Sequence, residues 1–239
     1  MSASRPAPAP RTPLTAIERQ RLVRKWRSWM KRIMNETGDL LVRQELFRGM
    51  RDVVNENEDT KDPGILVDWM MRNYAEAVSV GIRRLCDVGR VKKKIDVVSL
   101  GRLLFELSHH PRLVTRAMHR RLYRKEQHLA DPTFDDIVGR GRQFAPTIMF
   151  RSDLQKLRLV SSRIHRFVDK RIAHATPPRT LRKNPTYGQI SASLDVIDRL
   201  ACKYNGLLTS TFFSTAKPVL VEDWKRPLRI AWMPLHAGG

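Results

Sequence analysis

Four residues near the end of one helical segment have side chains suited to chemistry on a phosphodiester: Asp169, Lys170, Arg171 and His174. A histidine titrates near neutral pH and can accept a proton from a hydroxyl group, whereas an arginine presents a fixed fork of donors to a phosphate. Lys170 lies one helical turn before His174 and is a second candidate cation. These groups meet two needs of RNA cleavage through the 2′-hydroxyl, which are a proton acceptor and a cation that stabilises the charged transition state.

The same side chains also have a purely structural interpretation. A histidine near the end of a helix can hydrogen-bond the turn that follows, and the helix dipole favours a cation there. Asp169 would then pair with a neighbouring Lys or Arg. An arginine followed by a histidine after six intervening residues is also not distinctive, because this spacing occurs at 102/109, 112/119, 121/128 and 158/165. The sequence therefore leaves both interpretations open.

The helix that must position these residues starts near Ser152. Its apolar residues recur at three and four positions, which predicts one stripe facing a core: Leu154, Leu157, Val160, Ile164, Phe167 and Val168. At about 100° per residue, His174 lies about 20° from Phe167, and Arg171 lies about 60° from His174. Both therefore continue the apolar face, where polar groups need partners.

A last long helix is predicted after a loop with three prolines. Thr186 and Gln189 form a capping-box signature, which indicates where this helix begins. We predict that it pairs with the preceding helix as an α-hairpin. The side chains expected to be buried between the two helices are Leu157, Val160, Ile164, Phe167, Leu194, Ile197 and Tyr204.

The rest of the chain also has helical periodicity, and an all-α helical bundle is predicted. Helices are expected over 15–36, 39–55, 65–87 and 99–108, and another is expected to start at Pro111 and to carry Arg112, Arg116, Arg120, Arg121 and Arg124. Residues 130–150 contain prolines and glycines that break any period, so a loop or lid-like insertion is expected there. As domains, we expect a disordered Pro- and Ala-rich arm over 1–13, one helical domain over 14–217, and a tail over 218–239 packed on or near the bundle.

The charge of the chain indicates an acidic partner. Its 239 residues include 45 Lys and Arg against 24 Asp and Glu, a net charge of +21, which favours nucleic acid, with an anionic membrane surface second. The first helix places its basic residues opposite Leu22, Trp26, Trp29 and Ile33, either as a solvated face or as a binding face. The candidate nucleic-acid-binding residues are Arg21, Arg24, Lys25, Arg27, Lys31, Arg83, Arg84, Arg120 and Arg121.

No metal or cofactor site is predicted. The histidines between His109 and His128 lie on both sides of a break and lack a carboxylate or cysteine at a recognised spacing. Cys86 and Cys202 lie inside helical patterns and are interpreted as buried apolar side chains of a reducing compartment. No run approaches the roughly 20 apolar residues of a membrane-spanning helix. A cytoplasmic protein is expected.

The string from Asp169 to His174, followed by Pro-Thr-Tyr and a capped helix, resembles the HEPN superfamily. More narrowly, the chain is similar to its abortive-infection, AbiU-like branch. The resemblance extends to residues 82–86, 98–104, 113–116 and 207–209 and to Trp224 and Trp232. It implies a long α-hairpin joined to a basic N-terminal helix. Catalytic members are metal-independent ribonucleases whose two sites meet across a homodimer, with an arginine and a histidine in each site.

Two hypotheses follow from this resemblance. In the first, the chain is a toxin or abortive-infection effector that cleaves RNA as a homodimer through His174, Arg171, Lys170 and Asp169. In the second, it is a non-catalytic HEPN-like scaffold that binds RNA or a protein partner, such as an antitoxin, through its basic helices. Val168 occupies the position that aligns with the family's arginine. A third possibility is a protein that binds a membrane surface through its first helix.

Binding to RNA should depend steeply on salt, because clustered Lys and Arg displace counterions from phosphates. Reversing the charges of Arg24, Arg27 and Lys31 should weaken binding to every RNA sequence, since phosphate contacts carry no sequence information. Fluorescence anisotropy with several labelled RNAs at low and moderate salt measures both effects. An affinity that does not change with salt would contradict phosphate-led binding.

Overall fold

The structure, a computed structural model, describes residues 14–56, 64–89, 97–123, 125–173, 184–220 and 223–226. Within these residues it contains seven α-helices and no strand, which confirms the all-α prediction. They are α1 (Ala16–Glu56), α2 (Gly64–Cys86), α3 (Leu100–His109), α4 (Arg116–Arg120), α5 (Gln127–Val138), α6 (Thr147–Phe167) and α7 (Tyr187–Thr209). A 3₁₀ turn covers Pro111–Leu113, and a π-helical turn covers Val168–Ile172.

Four long helices, α1, α2, α6 and α7, form a bundle in which each helix runs antiparallel to its neighbours. On α1, Phe47 stacks on Tyr74 of α2 at a centroid distance of 3.9 Å, and Gln44 donates to Ser191 of α7 at 2.9 Å. The seven side chains expected between α6 and α7 are buried except for Val160, which is half-buried. The predicted pairing of these two helices is confirmed, because Tyr204 donates to Asp153 at 2.8 Å.

The prediction of two separate helices over 15–36 and 39–55 was wrong, because α1 continues without a break from Ala16 to Glu56. Thr37 is buried, and its hydroxyl donates to the carbonyl of Ile33 at 2.8 Å, one turn back. Gly38 lies beside the loop after α7, where a Cβ would be only 2.8 Å from the carbonyl oxygen of Ala216. The glycine therefore allows a close approach of backbone and does not end a helix.

The prediction of an irregular stretch over 130–150 was also wrong in part, since α5 occupies Gln127–Val138 with Pro132 inside it. The buried guanidinium of Arg116 donates to Asp131 and Asp135 on this helix and to the carbonyl oxygen of Arg142. These contacts come from outside the segment, so local periodicity did not reveal them. The predicted helix from Pro111 is likewise shortened to α4, which begins after Thr115, whose hydroxyl accepts from the N–H of Met118.

Two buried carboxylates tie the helices together. Glu106 of α3 accepts from the indole of Trp26 at 2.9 Å, from Lys25 at 3.1 Å and from Arg102 at 3.0 Å. Asp153 of α6 accepts from Lys203 at 2.7 Å and from Tyr204. Burial alone would raise the pKa of each carboxyl, but these donors and their charges outweigh it and hold both pKa values below their ordinary ranges.

Both cysteines are buried free thiols, as predicted. Burial is the main cause that raises the pKa of Cys86 and of Cys202 to about 12. From the tail, Trp224 lies against α1 at Gly49, where its ring fills the space that a side chain would need. None of the described helices combines the length and apolarity that crossing a bilayer requires.

Replacing Asp153 with Ala should lower the free energy of unfolding by about 3 kcal/mol, because the Tyr204 hydroxyl and the Lys203 ammonium would lose their buried acceptor. Urea denaturation measures this change. Asp136→Ala is the matched control, since Asp136 is exposed on α5 and makes no hydrogen bond or ion pair with another described residue. Equal losses in the two variants would show that Asp153 does not stabilise the bundle through its partners.

Candidate functional site

The candidate catalytic residues lie at the end of α6, where the helix changes its hydrogen bonding. The N–H of Ala173 donates to the carbonyl of Val168 at 2.8 Å, an i→i−5 bond that defines a π-helical turn. Such turns are rare and occur frequently at functional sites. The extra residue in this turn means that the 100° spacing assumed for Arg171 does not hold here. His174 lies outside the residues that the structure describes.

Asp169, in this turn, is held by an ion pair with α2. Its carboxylate accepts from Nε of Arg83 at 3.2 Å, and Arg83 also lies 3.5 Å from Asp87. The Asp169 side chain remains about half exposed, at 55%. The contact joins the π-helical turn to α2. It gives Asp169 the partner that the structural interpretation expected.

His165 lies one helical turn before Asp169 and faces the same ion pair. Its Nε2 atom is buried and has no hydrogen-bond partner among the described residues. Burial lowers the pKa of His165, as does the positive charge of Arg83, while the charges of Asp169 and Asp87 raise it. The net effect is a pKa below the ordinary value, so the ring is neutral at pH 7 and can accept a proton.

Sequence reasoning gave His165 no role, because its spacing from Arg158 is one of four equivalent arginine–histidine spacings. The signal that could have found it is its position four residues before Asp169. Residues four apart lie on one face of a helix.

Arg171 is exposed at a cavity of about 820 Å³ between the first half of α2 and the start of α7. Arg72 provides a second guanidinium in the lining, and Asp68 and Glu76 provide two carboxylates. Tyr187 closes the side formed by α7. Two guanidinium groups at one opening can hold a phosphate, and the carboxylates restrict how closely the anion can approach.

Two other residues of the π-helical turn differ from Arg171 in exposure or in polarity. Val168 is 7% exposed and packs in the hydrophobic core, so it contributes no polar group to the candidate site. Lys170 is half-buried. Arg171 is therefore the exposed cation of the π-helical turn.

The basic residues of the first helix divide into two kinds. Arg21, Arg24 and Lys31 are exposed and form no ion pair with another described residue. Lys25 instead bonds Glu106 and lies over the ring of Trp29 at 4.5 Å. Arg27 is half-buried, and its Nε atom has no hydrogen-bond partner within the described chain.

Most of the remaining predicted cations form ion pairs within the bundle. Arg84 pairs with Glu36 of α1 at 3.3 Å, and Arg83 pairs with Asp169 and Asp87. Arg120 makes two bonds to Asp131, at 2.8 and 2.6 Å. Arg121 is exposed at the end of α4. The structure therefore does not gather the predicted basic residues into one surface.

Within the described residues, no three His, Cys, Asp or Glu side chains are grouped so that they could hold a metal ion. No protein-family model matches the chain, and neither a curated protein nor a solved structure matches it.

The ring of His165 should titrate below the ordinary histidine pKa of about 6.5. Asp169→Asn should lower this pKa further because it removes a favourable negative charge, whereas Arg83→Gln should raise it because it removes a repelling positive charge. NMR titration of the imidazole protons measures all three values. Shifts of the same sign in the two variants would show that His165 does not sense this ion pair.

Proposed function

We propose that this chain is a cytoplasmic, HEPN-type RNA-associated protein that cleaves RNA without a metal ion, as a homodimer, in abortive infection. The observation that carries the proposal is the exposed guanidinium of Arg171, presented by the π-helical turn at the end of α6 beside a cavity that holds a second arginine. The net charge of +21 supports a polyanionic substrate.

In the proposed reaction, Arg171 binds the phosphate and stabilises the charge that develops on it, while His174 accepts the proton of the 2′-hydroxyl. The ion pair between Asp169 and Arg83 keeps the turn in place. The leaving oxygen needs an acid to protonate it. The same residues of a second copy, across a two-fold axis, supply this acid.

A non-catalytic scaffold is the second candidate, and two observations favour it. Val168 is buried where the family's catalytic members have an arginine, and Asp169 is committed to Arg83. In this form the chain would bind RNA or a protein partner, such as an antitoxin, through its exposed cations.

Replacing His174 with Ala should reduce RNA cleavage by about 100-fold or more, because general acid–base catalysis contributes at least this much. The free energy of unfolding of this variant should differ from that of the unmodified protein by no more than about 1 kcal/mol. The assay is degradation of labelled RNA by purified protein in the presence of a chelator. His128→Ala is the matched control, because His128 is exposed on α5 and makes no hydrogen bond with another described residue.

The assay of the unmodified protein distinguishes the two candidate functions. Purified protein that binds RNA but leaves it intact supports the scaffold. A His174→Ala variant that is strongly destabilised yet retains cleavage would show that the histidine is structural.

A further inference from the structure

A second cavity lies between the first half of α1 and the loop that follows α7. Its volume is about 660 Å³, within the range of about 300–1,000 Å³ that ligand sites occupy. Tyr187 borders the cavity at Arg171 and Thr209 borders this one. These residues are about 33 Å apart along α7, so the two cavities lie at opposite ends of this helix. We call this second cavity the α1–α7 groove; it is lined by Arg27, Lys31, Asn35, Asn205, Thr209 and Phe213 among others.

The loop that forms one wall of the α1–α7 groove is firmly anchored. The side-chain amide of Asn205 donates to the carbonyl of Thr211 at 2.7 Å, and the N–H of Ala216 donates to Asp198 at 2.7 Å. The ring of Phe212 fills the space beside Gly206, where a side chain would otherwise lie. The wall is therefore held in place before any ligand arrives, which lowers the entropic cost of binding.

Two cations of the α1–α7 groove, Arg27 and Lys31, have no anionic partner among the described residues, whereas a third, Lys217, pairs with Glu45 at 3.3 Å. Arg27 and Lys31 are one helical turn apart, about 6 Å along the axis. Nε of Arg27 is buried without a hydrogen-bond partner, and Lys31 is exposed without an ion pair among the described residues. Asp39 also lines the groove, but it lies two further turns along α1, about 12 Å from Lys31. A partly buried guanidinium without an acceptor favours an anionic ligand.

The groove also presents an aromatic ring. Phe213 is 51% exposed, although a phenylalanine in a folded protein is usually buried. Thr211 and Thr215 lie on either side of it along the loop and line the same groove. An exposed ring beside unpaired cations is the combination with which proteins bind single-stranded nucleic acid, because phosphates meet the cations and bases stack on the ring.

We propose that the α1–α7 groove binds a single-stranded segment of RNA, with a phosphate at Arg27 and Lys31 and a base stacked on Phe213. The choice of RNA rests on the function proposed above. A single strand is required because a duplex hides the faces of its bases. An RNA bound here reaches Arg171 only if it is long enough to extend along the bundle.

The experiment measures binding of a labelled single-stranded oligouridine, and of a duplex of equal length, to the full chain by fluorescence anisotropy. The double variant Arg27→Gln, Lys31→Gln should bind the single strand about tenfold more weakly, with a salt dependence shallower by about one unit of log–log slope. Phe213→Ala should weaken binding by about fivefold or more, and Phe213→Tyr should retain it because tyrosine also stacks. Duplex binding should not respond to Phe213→Ala.

Two further variants serve as a charge control and as an alternative to the double variant. Arg140→Gln removes one exposed positive charge outside the groove and should leave single-strand affinity nearly unchanged. Lys31→Glu changes only an exposed side chain, so it reports on the cation site if the double variant, which alters the half-buried Arg27, does not fold. Thermal unfolding of every variant verifies that the bundle is intact.

The experiment can overturn RNA binding in the groove separately from the proposed function. Protein that binds no RNA overturns both proposals. If the unmodified protein binds RNA and the folded groove variants bind it equally tightly, only the proposal for the groove is overturned. Equal losses in Phe213→Ala for single strand and duplex overturn the stacking role.

Discussion

The packing of this protein depends on one helix, α1, whose 41 residues span about 60 Å. Seven of its twelve buried positions follow one another in alternating steps of four and three residues: 26, 30, 33, 37, 40, 44 and 47. This average period of 3.5 keeps one seam facing its neighbours over six turns, as in long helical bundles. The first half of the seam meets α3 through Trp26 and Glu106, and the second half meets α2 and α7 through Phe47 and Gln44.

The excess of positive charge determines how the few carboxylates are used. Two of the acids that tie elements together each meet two cations: Glu106 meets Lys25 and Arg102, and Asp131 meets Arg116 and Arg120. These pairs reduce the self-repulsion of a chain with a net charge of +21. Lys31 and Arg171 form no ion pair with another described residue; both are exposed, and they border the two cavities at opposite ends of α7.

Sequence reasoning predicted those parts of the fold that depend on local signals. The apolar stripe of α6 and the capping box at Thr186 are each contained within one segment, and both are found. The continuity of α1 was missed because Thr37 and Gly38 interrupt its apolar seam. The Thr37 hydroxyl bonds the carbonyl of Ile33, and Gly38 admits the backbone of Ala216, and periodicity reveals neither contact.

The candidate site shows the same division between local and distant causes. The string from Asp169 to Arg171 was found from residue types, but its π-helical turn changes the angular order on which the sequence argument relied. The ion pair of Asp169 with Arg83 joins residues 86 positions apart. The unpartnered Nε2 of His165 depends on burial in the folded bundle, which no pattern within α6 could show.

The two buried thiols provide an internal measure of how often the bundle opens. Only a thiolate attacks a disulfide reagent or an alkylating agent, and a pKa of about 12 leaves almost none of either cysteine in that form at neutral pH. Cys86 is at the end of α2 and Cys202 is in the second half of α7, so they report on different helices. The labelling rate of each thiol therefore distinguishes local fraying of one helix from opening of the whole bundle.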